Sequence, residues 1–258
     1  MENCSVVDVS ITGLQKQFDI RSGTFEVSAA WITDKRLIGE HVRLAGKPSG
    51  PALDLCCGTG VVGRALAAYG WQVRGLDISA AMTSISSRYF PVVQGNAGRL
   101  PFAGDSFRLS VCRQTFQFLD ARKVLAEISR VLVPGGIFIL SLTVPFSEQD
   151  REWLRKIHTF KQDLLLKFYT QEDLAGELSR AGYRILETVN LRVRESVTGW
   201  MRNAPELRRG RGTAVVSLVK NAPIRYKRLH RVKEKNGDVS EDWNWVIFKA
   251  AAPLKKIL

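Results

Sequence analysis

The stretch Ala52-Leu53-Asp54-Leu55-Cys56-Cys57-Gly58-Thr59-Gly60-Val61-Val62-Gly63 decides the fold. An apolar run carrying an acid turns through small residues and enters an apolar-periodic segment, Val61 to Ala68. A second apolar run, Trp71 to Leu76, closes on Asp77, seventeen residues after Gly60. Strand, glycine-rich turn, helix and strand in that order build a nucleoside site at the carboxyl ends of parallel strands.

Asp54 bears on which nucleoside. Gly58-x-Gly60-x-x-Gly63 matches the dinucleotide fingerprint, and an acid near Asp77 suits a ribose diol in either case. A dinucleotide, however, rests its pyrophosphate on the turn, where helix amides favour negative charge. A carboxylate four residues before the first glycine repels that group and favours a ligand bearing an ammonium or sulfonium. S-adenosylmethionine has both, so the acid argues for it over a nicotinamide dinucleotide; the bland alternative is that Asp54 only caps the turn.

With these residues in view, Leu53 to Gly60 resembles the first motif of class I S-adenosylmethionine-dependent methyltransferases, and Gly75-Leu76-Asp77-Ile78-Ser79 the second. Gly95 to Phe102, followed by Asp105-Ser106-Phe107, resembles the adenine-side loop of the small-molecule branch that includes the ubiquinone/menaquinone-biosynthesis type. Val131 to Gly136 and the run Ile137 to Leu142 resemble its Pro-Gly-Gly turn and fifth strand. Tyr169 to Leu174 with Ala181-Gly182-Tyr183 is similar to the helix before its sixth strand. The resemblance covers about residues 50 to 190. It implies a Rossmann-like, doubly wound α/β fold: a mostly parallel seven-stranded sheet whose last strand is antiparallel.

The resemblance also implies site roles. Asp54 would orient the methionine end of the cofactor, with Cys56, Gly58 and Gly60 in the loop around it. Asp77 would take the ribose hydroxyls, Ile78 would pack on adenine, and Asn96 and Ala97 would lie at the adenine edge. Arg113 and Gln114, just past the fourth strand, would face the pocket mouth and touch the methionine moiety or the acceptor. There are departures. The family more often has glycine where Cys56 stands, an acid where Asn96 stands, and commonly an acid where Arg108 stands. The amide oxygen of Asn96 can still accept a bond from the adenine amino group.

A chain of 258 residues can bury one sizeable core with room for an insertion. No apolar run reaches the length of a membrane helix. Met1-Glu2-Asn3-Cys4 does not open a secretory signal. Four cysteines, two adjacent in a tight turn, read as reduced thiols and point to the cytoplasm. Neither they nor the three histidines show metal-ligand spacing. The balance of 38 Lys+Arg over 25 Asp+Glu gives a net charge of +13. Much of the excess lies between Arg192 and Lys235, a field suited to nucleic acid, an anionic membrane surface or an acidic small molecule.

Four parts follow. Residues 1–49 read as a helical segment, a candidate lid ending at Gly46-Lys47-Pro48-Ser49-Gly50-Pro51. Residues 50–194 form the cofactor-binding core, with strands near 51–56, 72–77, 91–95, 107–112 and 136–142. Helices lie near 60–69, 79–88 and 120–132, then an amphipathic helix over 147–167, one capped by Thr170, and a strand at 184–193. Residues 195–240 form a basic helical insertion, with helices at Glu195 to Asn203 and Gly212 to about Tyr226, then a turn at Asn236-Gly237-Asp238. Residues 241–258 hold the last strand, Trp243 to Lys249, and a tail.

Alignment alone can supply roughly 7–11 kcal/mol of a methyl-transfer barrier, so an identifiable base is optional. His158 and Tyr169 are the weak candidates; His41 and His230 also titrate, with His230 read as a neutral member of the basic face. The Trp200, Met201, Trp243 and Trp245 set reads as core rather than substrate cage. The leading expectation is methyl transfer to an oxygen or carbon of a small aromatic or anionic metabolite. Alternatives are an RNA methyltransferase using the basic insertion, and a non-catalytic S-adenosylmethionine-binding partner protein.

Overall fold

The computed structural model describes residues 11–161, 164–205 and 210–254. Cys4 and the Met1–Cys4 reading, and Arg208 and Arg209 of the basic stretch, lie outside the described residues. The sheet is built from β1 (Pro51–Leu55), β2 (Gln72–Asp77), β3 (Val92–Gln94), β4 (Phe107–Arg113), β5 (Leu132–Val144), β6 (Arg184–Ser196), β7 (Lys233–Lys235) and β8 (Asp238–Ala251). Their order is β3-β2-β1-β4-β5-β8-β6, with β7 pairing to β8 off that path. The first five are parallel neighbours, and β8 runs antiparallel between β5 and β6.

Period-two alternation assigns each strand's side chains to two cores. On β8, Trp243, Trp245 and Ile247 enter one layer, while Val246, Phe248 and Ala250 enter the other. The first layer is covered by α3 (Lys35–Ala45), α4 (Val61–Ala68) and α7 (Glu148–Lys161), the second by α6 (Ala121–Val131) and α8 (Gln171–Arg180). A capping box begins α8, with Thr170 and Asp173 bonding each other's backbone amides. Ahead of β1 lie α1 (Ile11–Arg21), a 3-10 turn (Ser22–Val27), α2 (Ala30–Thr33) and α3, so the helical reading of the N-terminal segment holds for its described residues, 11–49.

The insertion departs from its sequence reading in several places. The strand β6 extends to Ser196, so Glu195 is in a strand and not a helix; α9 is only Val197–Arg202, capped by Ser196. The expected helix from Gly212 to Tyr226 is broken into α10 (Arg211–Lys220) and α11 (Ile224–Leu229). Pro223 between them lacks the amide a continuous helix needs. The hairpin turn at Asn236-Gly237 is present, both residues with positive φ, and it adds the short eighth strand β7. Finally, α7 is helical to Lys161 rather than 167, and the backbone amides of Leu166 and Lys167 bond instead to the Gln117 carbonyl.

Buried polar groups pin these added pieces to the core. Glu195 accepts from the amides of Ala30 and Trp31 at the start of α2, and from Ser196. His230 is not on the basic face: it is fully buried, stacked on Tyr226, with Nδ1 3.0 Å from the Asp242 carbonyl and Nε2 2.8 Å from the Asp150 carboxylate. His41 is equally buried, between the Leu37 carbonyl and Ser141 Oγ, and burial pushes it down to about 3.

Burial pushes the Glu195 carboxyl up to about 7, against the pull of three amides. A carboxyl whose folded pKa exceeds its unfolded one costs stability as pH rises through that window. Between pH 4 and pH 8 the wild-type chain should therefore lose roughly 3 kcal/mol more stability than Glu195→Gln. Urea unfolding across that range measures it, and equal slopes for the two proteins would refute the assignment.

Candidate active site

At the carboxyl ends of β1, β2 and β4 lies a cavity of about 470 Å³. Its wall brings together Asp54, Cys56, Gly58, Asp77, Ile78, Asn96, Ala97, Arg113 and Gln114, all expected from the sequence, and also His158. Gly60 and Tyr169 are not in that wall. Tyr169 is 2% exposed and packs near Phe116 in the opposite core layer, where burial pushes its hydroxyl pKa well up. It is not placed to serve as a base.

Two buried carboxylates hold the glycine turn. The Oδ2 of Asp77 accepts from the Gly58 amide at 2.8 Å, and its Oδ1 from Ser79 at 2.9 Å. The Oδ2 of Asp54 accepts from the Gly63 amide at 2.8 Å in the first turn of α4. Asp54 therefore caps the turn and faces the cavity at once, so the two readings of it are compatible. Burial pushes it up to about 7, against the Gly63 bond and the nearby Arg113. Asp77 is likewise raised by burial.

The three glycines of the fingerprint serve different ends. A Cβ on Gly58 would meet only the edge of Phe25, at 3.6 Å, and would otherwise project into open space. A Cβ on Gly60 would lie 2.9 Å from Phe90 Cζ, and one on Gly63 2.4 Å from the same atom. Gly75 on β2 also abuts that ring. Phe90, to which no sequence signal pointed, thus crowds the second and third glycines; only the first lines the cavity. Cys56 has φ 53, in the left-handed region, which supplies a backbone reason for glycine at that position. Its thiol is pushed well above its ordinary value by contact with Cys112 and by burial, so it remains a neutral thiol.

Asn96 closes its own turn, its Oδ1 accepting from the Gly98 amide at 2.8 Å. One acceptor lone pair is thereby engaged, leaving the NH₂ and a second lone pair for a ligand. Gln114, at φ 53, is bonded through both side-chain ends to Thr143. Arg113 donates to the carbonyls of Trp31 and Ile32 and lies over the Trp31 ring, 5.1 Å from its centroid. Burial brings its pKa down to about 10. It therefore ties the N-terminal segment to the cavity wall, to which α1 adds Phe18 and Arg21.

The remaining wall comes from α7 and the insertion. His158 lies about 6 Å, ring to ring, from Phe168, Trp200 and Trp243, with no hydrogen-bond partner among the described residues. Burial and the Lys161 ammonium push it down to about 4, so it is neutral at physiological pH. Lys161, one turn further along α7, is itself buried and lies over the Trp200 ring. Trp200 and Trp243 are core residues and cavity wall together; Trp245 and Met201 are core alone. Lys161 was missed by sequence reasoning, although its spacing of three from His158 puts it on the same helix face.

Comparison with known proteins places this geometry. Residues 53–140 match the family described as a methyltransferase domain. The chain is 39% identical over 116 residues to 2-phytyl-1,4-naphtoquinone methyltransferase of Thermosynechococcus vestitus, covering 40% of this chain and 52% of that protein. It is 35% identical over 151 residues to the ubiquinone/menaquinone biosynthesis C-methyltransferase UbiE of Desulfotalea psychrophila, covering 52% and 59%. The chain thus spans little more than half the length of these relatives. The crystal structure of the YcgJ protein of Bacillus subtilis superimposes with a TM-score of 0.72 at 19% identity, over 84% of this chain and 98% of that one. At that identity the likeness shows the fold alone. Asp54, Asp77, Asn96 and Arg113 fall inside the matched residues, whereas His158 and the insertion fall outside them.

The backbone geometry makes a contrast. Gly60→Ala should cost about 2 kcal/mol or more, through φ 83 and the Phe90 contact. Cys56→Gly should leave stability unchanged or raise it by up to about 1 kcal/mol, by releasing a left-handed residue. Thermal melts of the two variants check both; a strongly destabilised Cys56→Gly would count against the strain reading.

Proposed function

We propose that this class I S-adenosylmethionine-dependent methyltransferase methylates an oxygen or carbon of a small aromatic or anionic metabolite, of the quinone type named in its relatives. One observation carries the reading. A single cavity contains two buried carboxylates beside an open glycine and a neutral imidazole among aromatic rings.

The residues present fit the cofactor. Gly58 leaves open the space that a side chain would fill, and Asp54, held near neutrality by burial, is the group an adjacent cation would ionise. Asp77 retains lone pairs for ribose hydroxyls beyond the two amides it already accepts, while Ile78, Asn96 and Ala97 would flank adenine. When bound, S-adenosylmethionine supplies an electrophilic methyl carbon on a sulfonium, and S-adenosylhomocysteine is the product.

The chain's own residues then have three tasks. Trp200, Trp243 and Trp31 exclude water and offer flat apolar walls to a planar acceptor. Arg113 and Lys161 lower the energy of negative charge on it. His158, neutral at physiological pH, accepts the acceptor's proton at a ring nitrogen, and an anion beside it would raise its basicity. An RNA acceptor is the runner-up, supported by the basic insertion. Against it, Trp200 and Tyr226 are buried and unavailable for base stacking.

Isothermal titration with S-adenosylmethionine and S-adenosylhomocysteine tests the cofactor. Asp77→Ala should abolish most of the affinity. Wild-type affinity for S-adenosylmethionine should rise close to tenfold from pH 6 to pH 8 as Asp54 ionises, and Asp54→Asn should flatten that rise. No binding by the wild-type chain would end the proposal. For the base, His158→Ala should lower kcat on an accepted quinol by about 10²–10⁴-fold with cofactor affinity unchanged; unaltered turnover would remove His158 from the chemistry.

A further inference from the structure

The function proposed above leaves the basic charge of the insertion unused. On α11 the inward positions are Tyr226, which bonds the Glu241 carboxylate, and just beyond the helix His230, which bonds Asp150. The opposite stripe carries Ile224, Lys227 and Arg228, spaced three and four apart on one face. Ile224 is 63% exposed, and Arg225, Arg228, Arg231, Lys233 and Lys235 are exposed around it along the chain. Acids do little to neutralise this surface. Glu234 pairs with Lys220 at 3.1 Å, and Asp242 lies 3.7 Å from Arg231. Among the described residues Arg225, Lys227 and Arg228 have no ion-pair partner.

An isolated basic face is usually solvated. Here the cations surround a projecting branched aliphatic side chain, which water does not favour. That pairing of aliphatic residue and cations matches an anionic bilayer interface, where an apolar side chain enters the headgroup region and Lys and Arg meet lipid phosphates. Single-stranded nucleic acid would instead ask for exposed aromatic rings. The aromatic residues of the insertion, Trp200 and Tyr226, are 5% and 2% exposed. No helix among the described residues is long and apolar enough to cross a membrane, so such contact would be peripheral.

We propose that the α11 face, centred on Ile224 with Arg225, Lys227, Arg228 and Arg231, docks this protein on an anionic phospholipid surface. The full chain is floated with phosphatidylcholine vesicles with and without phosphatidylglycerol, at low and high salt. It should bind only the phosphatidylglycerol vesicles, and less at high salt. The double variant Arg225→Glu/Arg228→Glu should lower vesicle affinity on the order of tenfold or more. Ile224→Ser should weaken it several-fold while leaving the salt dependence intact. Both variants touch solvent, and thermal melts matching wild type establish that they fold. No binding to phosphatidylglycerol vesicles overturns the proposal, as does binding indifferent to these substitutions. Salt-sensitive RNA retention on filters without vesicle binding would assign the face to nucleic acid instead.

Discussion

The turn after β1 is held from two sides by buried carboxylates, Asp54 on the Gly63 amide and Asp77 on the Gly58 amide. Everything at the site follows from that clamp. It satisfies the Gly63 amide at the start of α4 and the Gly58 amide of the turn, and it keeps two acids inside a cavity where burial raises their pKa. Their raised pKa values record the tension. A cationic ligand relieves it, whereas a phosphate would deepen it. The electrostatic argument for a sulfonium cofactor thus survives the finding that Asp54 also has a structural bond.

Behind the clamp, one aromatic ring sets the local sequence. Phe90 lies so close to Gly60, Gly63 and Gly75 that a methyl group at any of them would overlap it. A fingerprint read as a nucleotide motif is therefore in larger part a packing motif. The distinction matters for chemistry, because Gly58 alone among the three fingerprint glycines lines the cavity.

The rest of the cavity wall has a different origin. It is assembled by α7, the insertion and the N-terminal segment, which polar contacts bind to the sheet: Glu195 to α2, His230 to Asp150 and Arg113 to the carbonyls of Trp31 and Ile32. These contacts join residues up to 165 positions apart. They carry Trp31 and Trp200 to one wall with His158, and they leave the basic side of α11 outward.

The mostly parallel sheet and the small-residue turn after its first strand were legible in the sequence, because each rests on local rules. Period-two apolar runs, small residues in the turn and acids at strand ends are all set within a few positions of one another. Thr170 with Asp173 was equally legible as a helix start. By contrast, the strand status of Glu195, the burial of His230 amid basic neighbours and the role of Phe90 were decided only by tertiary structure. In each case a partner distant in the chain overrides the local signal: amides of α2, the Asp150 carboxylate, and glycines on the turn and β2. The break at Pro223 was local and readable; periodicity on both sides obscured it. Whether an aromatic or a histidine is core or catalytic wall depends on which helices close over it, and spacing along one chain does not contain that information.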